Sequence, residues 1–249
     1  MPTLGLVSIT FRQLTPAQII PLVKEAGLTA IEWGSDVHVP QTDLENARRV
    51  GEMTREAGLT VSSYGSYYRL GTGQDFLPYL DAAEALGAPI IRIWAGTKNP
   101  DQVDWIAFLG MVAEAKAIAR MAAERGITIA FEYHHGTLTD TGSSALSLVR
   151  AVNEPNCRLY WQPEFSKSWC TIMSDLEKVA PYVEICHVFK WTDDHTRLSL
   201  KLGFGNWVSF LNCVLAWGDK PLLLEFVPGD DPAVLTQEAD ALREIVSCM

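Results

Sequence analysis

Lys24-Glu25-Ala26-Gly27-Leu28-Thr29-Ala30-Ile31-Glu32-Trp33 and Arg55-Glu56-Ala57-Gly58-Leu59-Thr60-Val61-Ser62-Ser63-Tyr64 carry the same pattern: a helical stretch closes on Glu-Ala-Gly and a short apolar strand follows Leu-Thr. Looser copies run Glu84-Ala85-Leu86-Gly87-Ala88-Pro89-Ile90-Ile91-Arg92-Ile93 and Glu124-Arg125-Gly126-Ile127-Thr128-Ile129-Ala130-Phe131-Glu132. The punctuating glycines stand roughly 30 to 40 residues apart, the length of one βα unit. Glycine suits these positions because a helix turning back into a strand often ends on a left-handed residue, which costs a side chain with a Cβ about 1–2 kcal/mol. A βα unit repeated at that period predicts a (β/α) barrel.

Outward from that repeat, strand-like runs fall at 4–10, 29–34, 59–64, 89–95, 127–134, 157–162, 183–190 and 221–227, each short and rich in β-branched or aromatic residues. Helix-like stretches fill 15–26, 41–57, 74–86, 103–125, 142–152, 172–180, 206–217 and 232–247, several opened by a cap or a first-turn proline such as Thr15-Pro16 or Asp231-Pro232. Successive parallel strands need a crossover helix, so strict alternation argues for a parallel sheet. An open doubly wound sheet is the rival. It is disfavoured because no Gly-rich phosphate loop follows the first strand. The 249 residues match the length of one closed barrel, and no Gly/Ser/Pro linker or break in composition divides them. The expectation is a single α/β domain over 1–249, a (β/α)8 TIM barrel.

Composition narrows the function classes. A net charge of −10 opposes a phosphate backbone and disfavours nucleic acid as partner. The five cysteines have no C-x-x-C spacing and are odd in number, so neither a disulfide framework nor a structural zinc site is indicated, and a reducing cytoplasm is expected. No apolar run reaches about 18 residues, and the N-terminus lacks a basic segment leading into an apolar one, so neither a membrane partner nor a secretory signal is expected. The eight tryptophans leave room for an apolar interface, and homo-oligomerisation stays open.

Alternation within a strand sorts side chains by face. In the fifth strand Ile127, Ile129, Phe131 and Tyr133 face the helices, and Thr128, Ala130, Glu132 and His134 face the axis. The same rule puts Glu32, Arg92, Trp94, Tyr160, Gln162, His187, Leu223 and Glu225 on the axis. Polar groups gather at the C-terminal strand ends, where barrel enzymes carry their chemistry. Glu132, Gln162, His187 and Glu225 close four successive strands, one barrel step apart. Two carboxylates, an imidazole and an amide oxygen converging there suit a divalent ion of the Mn²⁺, Co²⁺, Mg²⁺ or Zn²⁺ type.

At these residues the chain resembles the xylose isomerase-like TIM barrels, in particular the sugar phosphate isomerase/epimerase group with its ketose 3-epimerases, hydroxypyruvate isomerases and inosose dehydratases. The resemblance covers nearly the whole chain. It rests on Phe131-Glu132-Tyr133-His134, matching a Glu-x-His strand, on His187 in Ile185-Cys186-His187-Val188-Phe189-Lys190, on Gly203-Phe204-Gly205 opening the seventh helix, and on Leu222-Leu223-Leu224-Glu225. Two departures stand out. Gln162-Pro163-Glu164-Phe165 replaces Asp-x-x-His, exchanging an anionic ligand for an amide and a substrate-contacting histidine for phenylalanine, and His187-Val188-Phe189-Lys190 replaces His-x-x-Asp.

The resemblance implies that Glu132 and Glu225 serve both as metal ligands and as the proton-transferring pair. The expected function is metal-dependent isomerisation or epimerisation of a small sugar or sugar-like hydroxy-carbonyl compound through an enediolate. The alternatives are a metal-dependent dehydratase of a polyol ketone and, given Gln162 and Phe165, a non-catalytic sugar-binding barrel. His134, Arg92, Trp94 and Glu164 are the expected substrate contacts, Arg92 equally a counter-ion of the acidic cluster. The aromatic set Tyr64, Tyr67, Tyr68, Trp94, Trp161 and Trp191 offers ring faces for stacking on a sugar. A structural reading also exists for Glu132 and Glu225, pairing with Arg92 or Lys190 across the barrel top.

Overall fold

A computed structural model describes residues 1–249. Eight parallel strands close a barrel: β1 (Leu4–Val7), β2 (Ala30–Gly34), β3 (Thr60–Arg69), β4 (Ile90–Trp94), β5 (Thr128–Glu132), β6 (Cys157–Trp161), β7 (Val183–Val188) and, after a small antiparallel hairpin of β8 (Lys190–Trp191) and β9 (Arg197–Leu198), β10 (Leu222–Leu224). β10 pairs with both β7 and β1, Leu223 lying opposite His187 on one side and Gly5 on the other. The helices between them are α1 (Pro16–Glu25), α2 (Leu44–Glu56), α3 (Leu77–Leu86), α4 (Trp105–Ala123), α5 (Gly142–Val152), α6 (Trp169–Val179), α7 (Phe204–Leu215) and α8 (Leu235–Ser247). The architecture is the expected (β/α)8 barrel. Gly27, Gly58, Gly87 and Gly126 all have φ between 67° and 81°, the left-handed turn the repeat required.

Two apolar layers result. The large one, between strands and helices, takes Ile129, Phe131 and Tyr133. The small one, on the axis, is Val7, Ile9, Ile90, Ala130, Tyr160, Ile185 and Leu223. Alternation along β5 therefore sorts faces as expected, and the axial layer plugs the barrel beneath its open end. Burying each aliphatic side chain there contributes about 1.5–3 kcal/mol.

Several boundaries differ from the sequence reading, each for a local reason. The first strand stops at Val7, not residue 10, because Ser8–Phe11 forms a 3-10 turn whose Ser8 hydroxyl accepts the Gly34 N–H. The third continues past 64 to Arg69. The sixth helix starts at Trp169, not 172, because Ser168 caps it through the Thr171 N–H. The last strand ends at Leu224 and Phe226 turns the chain at φ 58°. Asp231-Pro232 opens a separate 3-10 turn, with α8 beginning at Leu235. The hairpin at 190–198 was not expected at all; its two-residue strands are too short for a period to register.

Candidate active site

The C-terminal strand ends surround a cavity of about 250 Å³. Its floor belongs to a buried cluster from six strands, Glu32 on β2, Arg92 on β4, Glu132 ending β5, Gln162 one residue past β6, His187 on β7 and Glu225 one residue past β10, of which Arg92, Glu132, Gln162 and Glu225 line the cavity and Glu32 and His187 do not. Glu32, Arg92, Glu132 and His187 reach the axis because the residues flanking each of them are apolar and packed outward under the helices, as Phe131 and Tyr133 are around Glu132.

The structure brings together three of the four expected ligands tightly. Donor atoms of Glu132, His187 and Glu225 all lie within 4.8 Å of one another. Gln162 adjoins Glu132: its Nε2 is 3.5 Å from Glu132 Oε1, and its Oε1 is buried with no hydrogen-bond partner. His187 Nδ1 and Glu132 Oε2 likewise lack hydrogen-bond partners. Buried polar atoms are nearly always satisfied, so three buried ligand atoms without a hydrogen bond, of which Glu132 Oε2 and His187 Nδ1 have only an ion-pair neighbour in Arg92 and Glu225, fit a cation. The donor set, carboxylate, amide and imidazole, suits a borderline divalent ion. Charge agrees: three carboxylates against Arg92 and a protonated His187 leave one negative charge, and two once a cation displaces the imidazole proton.

Electrostatics follow from burial and spacing. Arg92 is fully buried, with Nε 3.2 Å from Glu132 Oε2 and Nη1 3.6 Å from Glu32 Oε1. It is thus a counter-ion within the floor as well as a cavity wall. Burial alone would raise the Glu32 carboxyl, but His187 and Arg92 outweigh it and hold it down at about 2. Burial would lower the His187 imidazole, yet Glu225 and Glu32 outweigh that and raise it to about 10. Its ring sits between them, Nε2 3.3 Å from Glu32 Oε2 and Nδ1 3.3 Å from Glu225 Oε2. A cation on Nδ1 would take the place of that proton.

The walls hold the other expected residues. Trp94 lines the cavity, its ring 4.7 Å from His134 and capped by the Arg69 guanidinium at 4.1 Å. His134 lies beyond the end of β5 and donates Nδ1–H to the His135 carbonyl at 2.7 Å, making no bond to Glu132. Glu164 also lines it, with Oε2 3.2 Å from His135 Nδ1; burial works to raise its carboxyl, but Ser166 and His135 pull it below the usual range. Of the aromatic set, Tyr67, Trp94 and Trp191 face the cavity. Tyr64, Tyr68 and Trp161 do not: they are packed in the layer under the helices. Lys190 lays its Nζ over the Phe165 ring at 4.0 Å and pairs with neither Glu132 nor Glu225.

Sequence reasoning gave no role to Glu32, His135 or His195. Glu32 had a signal, a charge inside the apolar run Ala30-Ile31-Glu32-Trp33. His195 had none, because it enters the cavity on the unforeseen hairpin.

Comparison with known proteins agrees with this architecture. The sequence profile of the xylose isomerase-like TIM barrels matches residues 20–245. A 3-dehydroshikimate dehydratase of Bacillus anthracis is 22% identical over 197 residues, which are 74% of this chain and 70% of that one. The crystal structure of a probable 3-DHS dehydratase from Bacillus anthracis superposes with a TM-score of 0.81 at 19% identity, over 98% of this chain and 99% of the other. D-psicose 3-epimerase from Clostridium cellulolyticum H10, solved with D-tagatose, superposes with a TM-score of 0.71 at 13% identity, over 99% of each chain. With the profile spanning nearly its full length, the chain belongs to the xylose isomerase-like TIM barrels.

Proposed function

We propose that this protein is a metal-dependent isomerase or epimerase of a small sugar or sugar-like hydroxy-carbonyl compound. The observation that carries the reading is the convergence of Glu132, His187 and Glu225 within 4.8 Å, beside the orphaned Gln162 Oε1, at the base of an open cavity that Glu132, Gln162 and Glu225 line. Glu132, Gln162, His187 and Glu225 would hold the divalent ion, of the Mn²⁺, Co²⁺, Mg²⁺ or Zn²⁺ type. When bound, it supplies several kcal/mol of stabilisation to the negative charge that develops on the substrate oxygens.

The protein's own groups do the rest. A C–H beside a carbonyl is too weak an acid for an ordinary carboxylate to deprotonate unaided. Glu132 and Glu225 approach the cavity from β5 and β10, so that one carboxylate takes the proton and the other, as the acid, returns one to the enediolate. Return to the same carbon on its other face is epimerisation, and return to the neighbouring carbon is isomerisation. Arg92 holds Glu132 from behind and adds a fixed positive charge to the floor. Trp94, Tyr67 and Trp191 present ring faces to the apolar side of the substrate, while His134 and Glu164 meet its hydroxyls.

The sequence likeness to a 3-dehydroshikimate dehydratase supports a second reading, in which the same proton removal is followed by loss of a β-hydroxyl. One experiment separates them: purified protein with each metal is incubated in D₂O with ketoses, their phosphates and 3-dehydroshikimate. Deuterium at carbon with the carbon skeleton's water retained supports isomerase or epimerase; water loss supports the dehydratase. Bound metal with neither reaction leaves a sugar-binding barrel. Glu132→Gln and Glu225→Gln should each lower kcat by about 10²–10⁴-fold with unchanged far-UV circular dichroism, and near-normal turnover in both would refute the assignment.

A further inference from the structure

We propose that Glu32 is a positioning residue for the metal site: its carboxylate accepts the Nε2–H of His187 and so turns Nδ1, the remaining nitrogen, toward Glu132 and Glu225. This rests on the reading of His187 as a ligand. Glu32 lies across the imidazole from that cluster, 3.3 Å from Nε2, while Nδ1 faces Glu225 at the same distance. The two nitrogens occupy opposite edges of one ring. The carboxylate is therefore the outer partner of the histidine, not a fifth member of the ligand set.

The seat for this carboxylate is built by β2 and β3. The register between them shifts at Ile31/Glu32, an irregularity of the kind that re-aims a side chain beside a site. Ser63, the register partner of Glu32, donates its hydroxyl to Oε2 at 2.8 Å. Gly65 makes the room, since a Cβ there would stand 2.7 Å from Glu32 Oε1. Arg92 flanks the other oxygen at 3.6 Å. Glu32 is entirely buried, and a buried carboxylate costs several kcal/mol in lost hydration unless its partners offset that cost. Fixing the orientation of the only imidazole in the cluster gives this arrangement a use that a bare counter-ion of Arg92 would not have. A metal-bound histidine characteristically donates its other N–H to such a partner, whose loss weakens metal binding about 10- to 100-fold.

The test is Mn²⁺ titration of the full-length protein, followed by the EPR signal of free Mn²⁺, in the wild type, Glu32→Leu and Gly65→Ala. The second variant leaves Glu32 in place but displaces its carboxylate, and it decides the matter if Glu32→Leu does not fold. Both should bind Mn²⁺ about 10- to 100-fold more weakly while retaining native circular dichroism. In Zn²⁺-loaded, ¹⁵N-histidine-labelled protein, the wild type should show a protected downfield Nε2–H for His187 that is absent from Glu32→Leu. Folded variants that bind Mn²⁺ within twofold of the wild type, with that proton unchanged in Gly65→Ala, would overturn the role of Glu32 alone. A wild type that takes up no Mn²⁺ would overturn the metal reading of the site and this inference with it.

Discussion

Glu32 and His187 are held in the charged forms that burial by itself would abolish, and in metal-free protein this gives stability a defined pH window. The Glu32 carboxyl is depressed from 4.5 to about 2, so its contribution is present above pH 4.5 and is lost as pH falls toward 2. The His187 imidazole is raised from 6.5 to about 10, so its contribution is present below pH 6.5 and is lost as pH rises toward 10. The two shifts share the Glu32–His187 contact, with Glu225 the larger influence on His187 and Arg92 adding to the hold on Glu32. Thermal melts of chelated protein should therefore give the highest Tm between pH 4.5 and 6.5 and a falling Tm from 6.5 to 10. A flat profile over the alkaline range would contradict it. At this scale the sequence was legible wherever a charged or polar residue ended an alternating strand, as Glu132, His187 and Glu225 do. It offered Arg92 as a partner of Glu132, which the structure pairs at 3.2 Å, but not of Glu32, because Arg92 meets Glu32 only after the barrel has closed. The division of labour between Glu32 and Glu132 rests on distances that no spacing encodes.

Helices and strands meet here through small residues whose roles differ by location. Gly51 sits inside α2, buried against α3, and a Cβ there would come within 2.2 Å of the Leu86 carbonyl oxygen. Gly110 sits inside α4, exposed, with nothing within 4 Å of the same added atom. Helix propensity alone favours alanine at both by about 1 kcal/mol. Overpacking costs about 1–3 kcal/mol, so the sign should split. Gly110→Ala should raise Tm by about 2–4 °C, and Gly51→Ala should lower it, both read by scanning calorimetry. The repeat Glu-Ala-Gly-Leu-Thr made the helix-to-strand turns legible, since one glycine conformation recurs at each. The strand-to-helix side was less so: caps such as Ser168 and the 3-10 turn at Ser8 depend on a single hydroxyl finding its N–H. The β8–β9 hairpin escaped because its order comes from a turn at Thr192–Thr196 and from packing over the cavity, not from strand periodicity.

Across the whole molecule the charge is layered. The floor concentrates carboxylates, whereas the loops above it are tied in pairs: Arg12 to Asp36, His135 to Glu164 and Arg197 to Asp230. Each tie joins loops that follow different strands. Exposed pairs of this sort contribute only about 0–1 kcal/mol. They hold the mouth more than the fold. Arg12→Ala should accordingly leave Tm within about 4 °C of the wild type, while raising KM for any accepted substrate; melts and Michaelis curves on the same preparation check both halves. No helix is long and apolar enough to cross a membrane.

The pairing of β1 with β10 has a consequence for biosynthesis. Glu32 and Arg92 leave the ribosome long before His187 and Glu225, and β1 keeps a bare edge until residues 222–224 arrive to cover it. A nascent chain halted short of that last stave holds seven of the eight strands, an uncovered edge on β1 and a buried cluster still lacking Glu225, the kind of incomplete state in which exposed strand edges favour aggregation.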